Sequence, residues 1–280
     1  MGFWRYICLI STFVLVGCAD QHPIEKKRVA TARAQRIVSL DYCADQFVLK
    51  LVDKTRILAL SPDAEREFSY MRGAAHGIAK VRPVAEDVLA LQPDLIVRVY
   101  GGGANAAGFF RRAGVPVVNI RWTNTIDQVK TAVIDASEQL GATERGASVV
   151  AEMEARLAAL TASNKRPSVL YMTPAGVSTG PGSLVHDILT HAGLENFQSE
   201  RGWRPIPLER LALESPDIVA ASFFGAKTNH RSGWSAMRHP VAKGALDASS
   251  TVYLDGSWTS CGGWYVLDAV EALAKGAQQF

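Results

Sequence analysis

Cysteine is scarce in this chain, with four in 280 residues. Cys8 and Cys18 lie in the N-terminal stretch, which leaves Cys43 and Cys261 for whatever folds. No C-x-x-C, H-x-H or H-E-x-x-H spacing occurs among the cysteines and six histidines, so a dedicated site for a bare metal ion is not expected. Charge of one sign is lacking too, since 30 basic and 27 acidic side chains leave a net +3. The basic residues are scattered apart from Lys26-Lys27-Arg28, which argues against a nucleic-acid partner. After the N-terminal stretch no apolar run approaches the about 20 residues that cross a bilayer. What is present is an ordinary globular composition, 48% apolar and 20% charged, in a chain with room for two lobes of about 100–150 residues.

Arg5 precedes a short apolar core from Ile7 to Val16. About ten such residues are too few for a permanent membrane helix, and residues 1–17 read as a leader. Leu15-Val16-Gly17-Cys18 resembles the bacterial lipobox, which implies acylation of Cys18 and a hold on the membrane by lipid alone. An ordinary cleaved leader with an incidental Cys18 is the other reading. Residues 18–35 are polar and aperiodic and read as a tether. The folded part is then expected in the periplasm or on the outer face of the cytoplasmic membrane, where thiols tend to oxidise.

Arg36 to Leu40 reads as a first strand, followed by a helix through Phe47 to Val52 and a short strand from Ile57 to Leu60. Asp94 to Tyr100 and Val115 to Ile120 are further strands, separated by a helix that carries Phe109 and Phe110. Strands alternating with helices argue for an α/β fold with a parallel sheet covered on both faces. From Thr143 to Ser163, the residues Val149, Val150, Met153, Leu157 and Leu160 recur at helical spacing. Some 20 such residues span about 30 Å. The segment 142–166 therefore reads as a rigid connector between an N-terminal lobe, 36–141, and a C-terminal lobe, 167–280. The second lobe opens on a strand ending at Met172, continues through strands Asp217 to Phe224 and Thr251 to Leu254, and closes with an amphipathic helix, Trp264 to Ala277.

One unit occurs twice. AEDVLALQPDLIV, from Ala85, is partly repeated as PLERLALESPDIV, from Pro207. Glu86 and Glu209 each open a short apolar helical turn, and Pro93-Asp94 and Pro216-Asp217 each lead into a β-rich run. The repeat implies two similar lobes, each presenting one carboxylate at an equivalent place. A Glu that merely favours a helix N-terminus explains either one alone. Recurrence at matching positions points instead to one outside partner.

With these pieces placed, the chain is similar to the substrate-binding proteins of bacterial ABC importers, and more narrowly to the group that captures vitamin B12, ferric siderophores and haem. The resemblance covers about residues 35–280. It rests on Arg36-Ile37-Val38-Ser39-Leu40, on Glu86 with Pro93-Asp94, on GPGSLVHDILTHAGLEN from Gly180 to Asn196, and on Glu209 with Pro216-Asp217. It implies two Rossmann-like lobes joined by a single long connecting helix, with a ligand cleft between lobes that move little. It also implies that Glu86 and Glu209 dock onto arginines of a permease dimer, which works with its ATPase subunits. The resemblance is to a binder without catalytic residues or resident cofactor, whose cargo is a small-molecule chelate that itself carries iron or cobalt.

In parallel α/β sheets ligands sit beyond the carboxyl ends of the strands. The residues expected there are Tyr42, Cys43, Tyr70, Tyr100 and Trp122 in the first lobe, beside Asp41 and Arg121. In the second lobe they are Tyr171, Trp203, Phe223, Trp258, Cys261 and Trp264, with Phe224 and Tyr265 nearby. Wide, stiff aromatic faces clamp a flat macrocycle or bulky chelate with little loss of entropy. Roughly half of these residues are expected to be core or peripheral instead. Cys43 and Cys261 admit three readings: inert core residues, a disulfide across the lobes, or thiols that touch the ligand or its metal. For haem, Tyr70 and Tyr100 are the first candidates as iron ligands. Gly101-Gly102-Gly103-Ala104-Asn105-Ala106 fits the dinucleotide fingerprint G-x-G-x-x-A. The acidic residue expected after the next strand is replaced by Arg121-Trp122-Thr123, so a nucleotide-dependent oxidoreductase is the lesser alternative.

Overall fold

A computed structural model of the chain describes Met1 and residues 34–160, 165–223 and 239–279. The leader, Cys18, Phe224 and the side chain of Phe223 lie outside the described residues. Everything below belongs to one compact unit, Thr31–Phe280. Among the described residues no helix is long and apolar enough to cross a membrane.

The first sheet has the order β2 (Ile57–Ala59), β1 (Ile37–Ser39), β3 (Leu95–Arg98), β4 (Val117–Asn119), and every pair is parallel. The central strands β1 and β3 are buried along their whole length, as apolar runs in a sheet covered on both faces should be. Helix α1 (Tyr42–Leu51) crosses from β1 to β2, α2 (Ala85–Ala90) leads into β3, and α3 (Ala106–Arg112) crosses from β3 to β4. Helix α4 (Ile126–Gln139) then turns at Gly141 into α5 (Thr143–Ala158). The two helices pack closely, because a Cβ on Gly146 of α5 would collide with Ser137 of α4.

The second sheet repeats the first. Its order is β7 (Glu195–Asn196), β5 (Ser168–Met172), β9 (Ile218–Phe223), β10 (Ser250–Asp255), again all parallel, with the strands in the same sequence of use. Helix α6 (Leu184–His191) links β5 to β7, α7 (Leu208–Leu211) leads into β9, and α8 (Pro240–Ala248) precedes β10. A small two-stranded antiparallel sheet of β6 (Val177–Thr179) and β8 (Trp203–Pro205) is added beside it. Helix α9 (Val266–Ala277) ends the described chain.

Side-chain alternation divides the core in three. Val38, Ile96 and Phe110 fill a cluster private to the first lobe, and Leu170, Met172 and Val219 fill one private to the second. The opposite strand faces, with Ile37, Leu95 and Val97 from one sheet and Val169, Tyr171 and Ile218 from the other, join a single cluster with α4, α5 and α9. The lobes therefore share their largest core. This modifies the expectation of two lobes joined by one stiff rod. Helix α5 ends at Ala158, shorter than the expected segment, and at about 1.5 Å per residue its 16 residues span about 24 Å. What fixes the lobes is packing around it. Arg156 of α5 pairs with Glu271 and Asp268 of α9, both at 2.6 Å.

Candidate functional site

The carboxyl ends of β1 and β3 are organised by one carboxylate. Asp41 caps α1 by accepting the Ala44 amide at 2.9 Å, and its other oxygen accepts the amides of Val99, Tyr100 and Gly101 at 2.8, 3.0 and 2.8 Å. From the other side, Arg98 donates to the carbonyls of Tyr100, Gly101 and Gly103 at 2.8–2.9 Å. A Cβ on Gly101 would fall on the Leu40 backbone, and Gly102 and Gly103 both have positive φ. Glycine is required here by close approach and turn geometry. Asp41 thus occupies the amides of Val99, Tyr100 and Gly101 at the head of the glycine loop, and a buried carboxylate there opposes a pyrophosphate at that edge. Gly176-Val177-Ser178-Thr179-Gly180 matches the nucleophile elbow G-x-S-x-G in letters only. Ser178 sits fully buried inside β6, opposite Arg204, rather than on an exposed strand-to-helix turn.

Between the lobes lies a cavity of about 260 Å³. Trp122, Thr123 and Asn124, just beyond β4, form one wall. The start of α6, Trp203 and the loop Thr259–Gly262 form the other. Trp122 is 66% exposed and Trp203 53% exposed, so each offers a wide apolar face to an incoming molecule. Trp203 rests edge-on against Tyr171, with ring centroids 6.2 Å apart. Tyr171 is itself buried, its hydroxyl 3.1 Å from that of Thr259, which lies 2.9 Å from that of Ser222. Near β1, Tyr42 meets Phe68 and Tyr100 edge-on at 4.7 and 6.2 Å. The cavity is smaller than the about 300–1,000 Å³ that encloses a drug-sized ligand. A bulky guest would project from it across the exposed aromatic faces.

The cavity is closed at its base by bonds between the lobes. Cys43 and Cys261 form a disulfide with Cα atoms 5.6 Å apart. Gly262 lies so close to Thr123 that a Cβ would collide with its hydroxyl. Ile126 donates its amide to Asp187 at 2.7 Å, and the Ser260 hydroxyl donates to the Phe68 carbonyl at 2.8 Å. The Tyr70 hydroxyl donates to Asp268 at 2.8 Å while its ring stacks on Tyr265 at 4.4 Å.

These placements correct several sequence expectations. Cys43 and Cys261 are buried and bonded to each other, so neither offers a thiol to a ligand or its metal. Tyr70 belongs to the seam between lobes, and burial together with Asp268 pushes its phenol up to about 12. Burial likewise pushes the Tyr100 phenol up. Tyr171 supports Trp203 from beneath rather than lining the cleft. Trp264 is buried against Phe47, with the Lys50 ammonium 5.5 Å from its ring centroid. Trp258 is half-buried against the shared core. Of the expected residues, Trp122, Trp203 and the disulfide-bonded Cys261 are brought to one cavity, and Tyr42 and Tyr100 are paired with each other. The polar wall residues Thr123, Asn124, Ser183, Thr259 and Ser260 were not among the candidates, although Ser183 is readable as the N-cap of α6.

Glu86 and Glu209 are both exposed, in the first turns of α2 and α7. Neither has an ion pair or hydrogen bond among the described residues, whereas each has an acidic neighbour that does. Asp87 is held by Arg82 at 2.6 Å and Glu214 by Arg210 at 2.9 Å.

Cobalamin-binding proteins from two strains of Halobacterium salinarum are 24% identical over 233 residues, spanning 78% of this chain. The chain spans 59% of the length of those relatives. The apo periplasmic haem-binding protein of Roseiflexus sp. RS-1 superposes with a TM-score of 0.70 at 20% identity, covering 88% of this chain and all of the other. A siderophore-binding protein captured with ferric iron and two molecules of acinetobactin gives 0.70 at 19% identity, over 89% of this chain and 95% of the other. Residues 37–230 match the family described as periplasmic binding protein, and the chain belongs to that family.

Proposed function

We propose that this chain is the substrate-binding component of an ABC importer, capturing a ferric siderophore or a cobalamin-like corrinoid and delivering it to the permease. One observation carries the reading: an exposed tryptophan from each lobe, Trp122 and Trp203, borders a single cavity beyond the carboxyl ends of two parallel sheets. Rigid aromatic faces with hydroxyl and amide groups between them suit a large, partly flat chelate that needs dispersion contact and a few edge hydrogen bonds. The metal arrives inside the chelate. Haem is the runner-up in the same class, and the commitment of the Tyr70 hydroxyl to Asp268 counts against its ligating iron.

Glu86 and Glu209 serve as docking feet for the two permease subunits. Charge-assisted bonds from arginines fix register on docking, and a carboxylate left without an intramolecular partner is available for them. Cys18 is the point of lipid attachment, which keeps the binder near its permease outside the cytoplasmic membrane.

Tryptophan fluorescence tests the ligand reading. Addition of cyanocobalamin, haemin or a ferric siderophore is expected to quench emission, and mass spectrometry of natively purified protein should show the cargo itself. No quenching by any of the three, with no copurified chelate, would remove the proposal.

A further inference from the structure

Positive φ accounts for many of the glycines in this chain, Gly102 and Gly202 among them. Gly262 is not one of these, so its backbone is open to an alanine. What forbids a side chain there is space. A Cβ on Gly262 would collide with the Thr123 hydroxyl, while the Thr123 Cβ would be 3.3 Å away and a methyl of Leu184 3.4 Å away. The obstruction is thus a single oxygen atom from the other lobe.

That contact lies between the two walls of the cavity. Thr123 follows Trp122 directly on the loop after β4, and its side chain is buried. Gly262 ends the stretch whose Thr259 hydroxyl meets that of Tyr171, the residue on which Trp203 rests. Moving either partner therefore moves a wall that carries a tryptophan. Two bonds hold the Gly262 loop against the first lobe. One is the Cys43–Cys261 disulfide, one residue before Gly262, and the other runs from the Ser260 hydroxyl to the Phe68 carbonyl at 2.8 Å. The contact of Gly262 with Thr123 sets how far that approach can go. Close-packed groups have low compressibility, so such a stop fixes a gap sharply.

Resting on the capture role proposed above, we infer that Gly262 and Thr123 are positioning residues: their contact is the stop that sets the separation of the Trp122 and Trp203 walls, and the width it leaves selects a chelate with a thin, planar body over a globular one. Neither residue has to supply binding energy itself. Two aromatic walls gain dispersion contact with both faces of a plate that matches their separation, and that gain fades quickly as the gap widens. A rounder chelate meets a narrow gap only at its edge.

Titration calorimetry of the purified protein tests this by comparing cyanocobalamin and haemin, which carry flat macrocycles, with the globular chelate ferrioxamine B. Wild type is expected to prefer a macrocycle. Gly262→Ala should push the walls apart and shift that preference about tenfold towards ferrioxamine B, the scale of overpacking by one methyl group. Thr123→Ala shortens the stop and should shift the ratio the opposite way. The double variant Gly262→Ala/Thr123→Ala removes the colliding oxygen and should bring the ratio back to within about threefold of wild type. A general loss of stability lowers every affinity together and cannot move their ratio in opposite directions. If Gly262→Ala alone does not fold, Thr123→Ala and the double variant still carry the test. The stop is wrong, and the capture role stands, if wild type prefers ferrioxamine B, if the variants leave the ratio unmoved, or if the double variant is no nearer wild type than Gly262→Ala. If none of the three chelates binds wild type, the capture role itself fails, and the stop with it.

Discussion

Asp94 holds the start of β1 through Arg36, accepting its amide at 2.9 Å, and accepts that of Gln35 at 2.8 Å. Asp217 does the same for β5, accepting the Ser168 amide at 2.7 Å and its hydroxyl at 2.8 Å. The Pro-Asp of the repeated unit is thus architectural, stitching the third strand of each lobe onto the first, while the glutamate of the same unit faces outward. Both aspartates are exposed, so each bond set is screened. Asp94→Ala and Asp217→Ala are each expected to cost about 1 kcal/mol in chemical denaturation while leaving ligand affinity unchanged. A loss of affinity without loss of stability would contradict the architectural role.

The disulfide closes a loop of 218 positions between the two lobes. Peptide mapping after alkylation without reduction should recover Cys43 and Cys261 in one linked pair. The double variant Cys43→Ser/Cys261→Ser is expected to lose about 2–5 kcal/mol of stability. Two alkylated free cysteines at these positions would overturn the pairing.

Asp45 is fully buried on α1, where it accepts the amide and hydroxyl of Ser61 at 3.2 and 2.6 Å. Burial pushes its carboxyl up to about 7, against the lowering effect of the serine hydrogen bonds. The unfolded chain releases this proton near pH 4, about 3 units earlier. Folding stability from this group is therefore intact below about pH 4, falls as the pH rises towards 7, and is diminished above that by an order of 4 kcal/mol. Asp45→Asn preserves the shape and can still meet Ser61. Its melting temperature should exceed wild type at about pH 8 and converge with it near pH 4. A variant less stable than wild type at the higher pH would show that the ionised form is the favoured one.

Tyr265 is wholly buried, stacked on Tyr70 and edge-on to Trp264, and its hydroxyl finds no hydrogen-bond partner among the described residues. A buried hydroxyl without a partner costs on the order of 1–3 kcal/mol. Tyr265→Phe keeps the ring packing and is expected to raise stability by about 1 kcal/mol. Destabilisation on thermal melting would reveal a bond to that oxygen.

Trp122→Ala and Trp203→Ala remove exposed rings, so melting temperatures should barely change. Ligand affinity is expected to fall by about thirtyfold for each, the scale of a binding hot spot of about 2 kcal/mol. Unchanged affinity in both variants would place the ligand elsewhere.

Local pattern made much of this protein legible. Apolar runs closed by Gly, Pro and Asp mark β1, β3, β5 and β9, because strand burial and turn chemistry are written over a few neighbouring residues. The repeated unit places Glu86 and Glu209 for the same reason. Helix α4 is equally legible, with Thr125 as its cap and Ile126, Val129, Val133 and Ala136 on one face, although it carries no motif.

Contacts between distant segments were decided only by the folded chain. The sequence allowed three fates for Cys43 and Cys261, and only the approach of α1 to the loop after β10 selects the disulfide. The same packing sinks Trp264 and Tyr171 and turns Tyr70 onto Asp268, leaving Trp122 and Trp203 outside. Aromatic residues carry no local mark of which side of a strand-end loop meets the other lobe. That choice is made by which faces the two sheets bury together, a property of the whole arrangement rather than of any stretch within it.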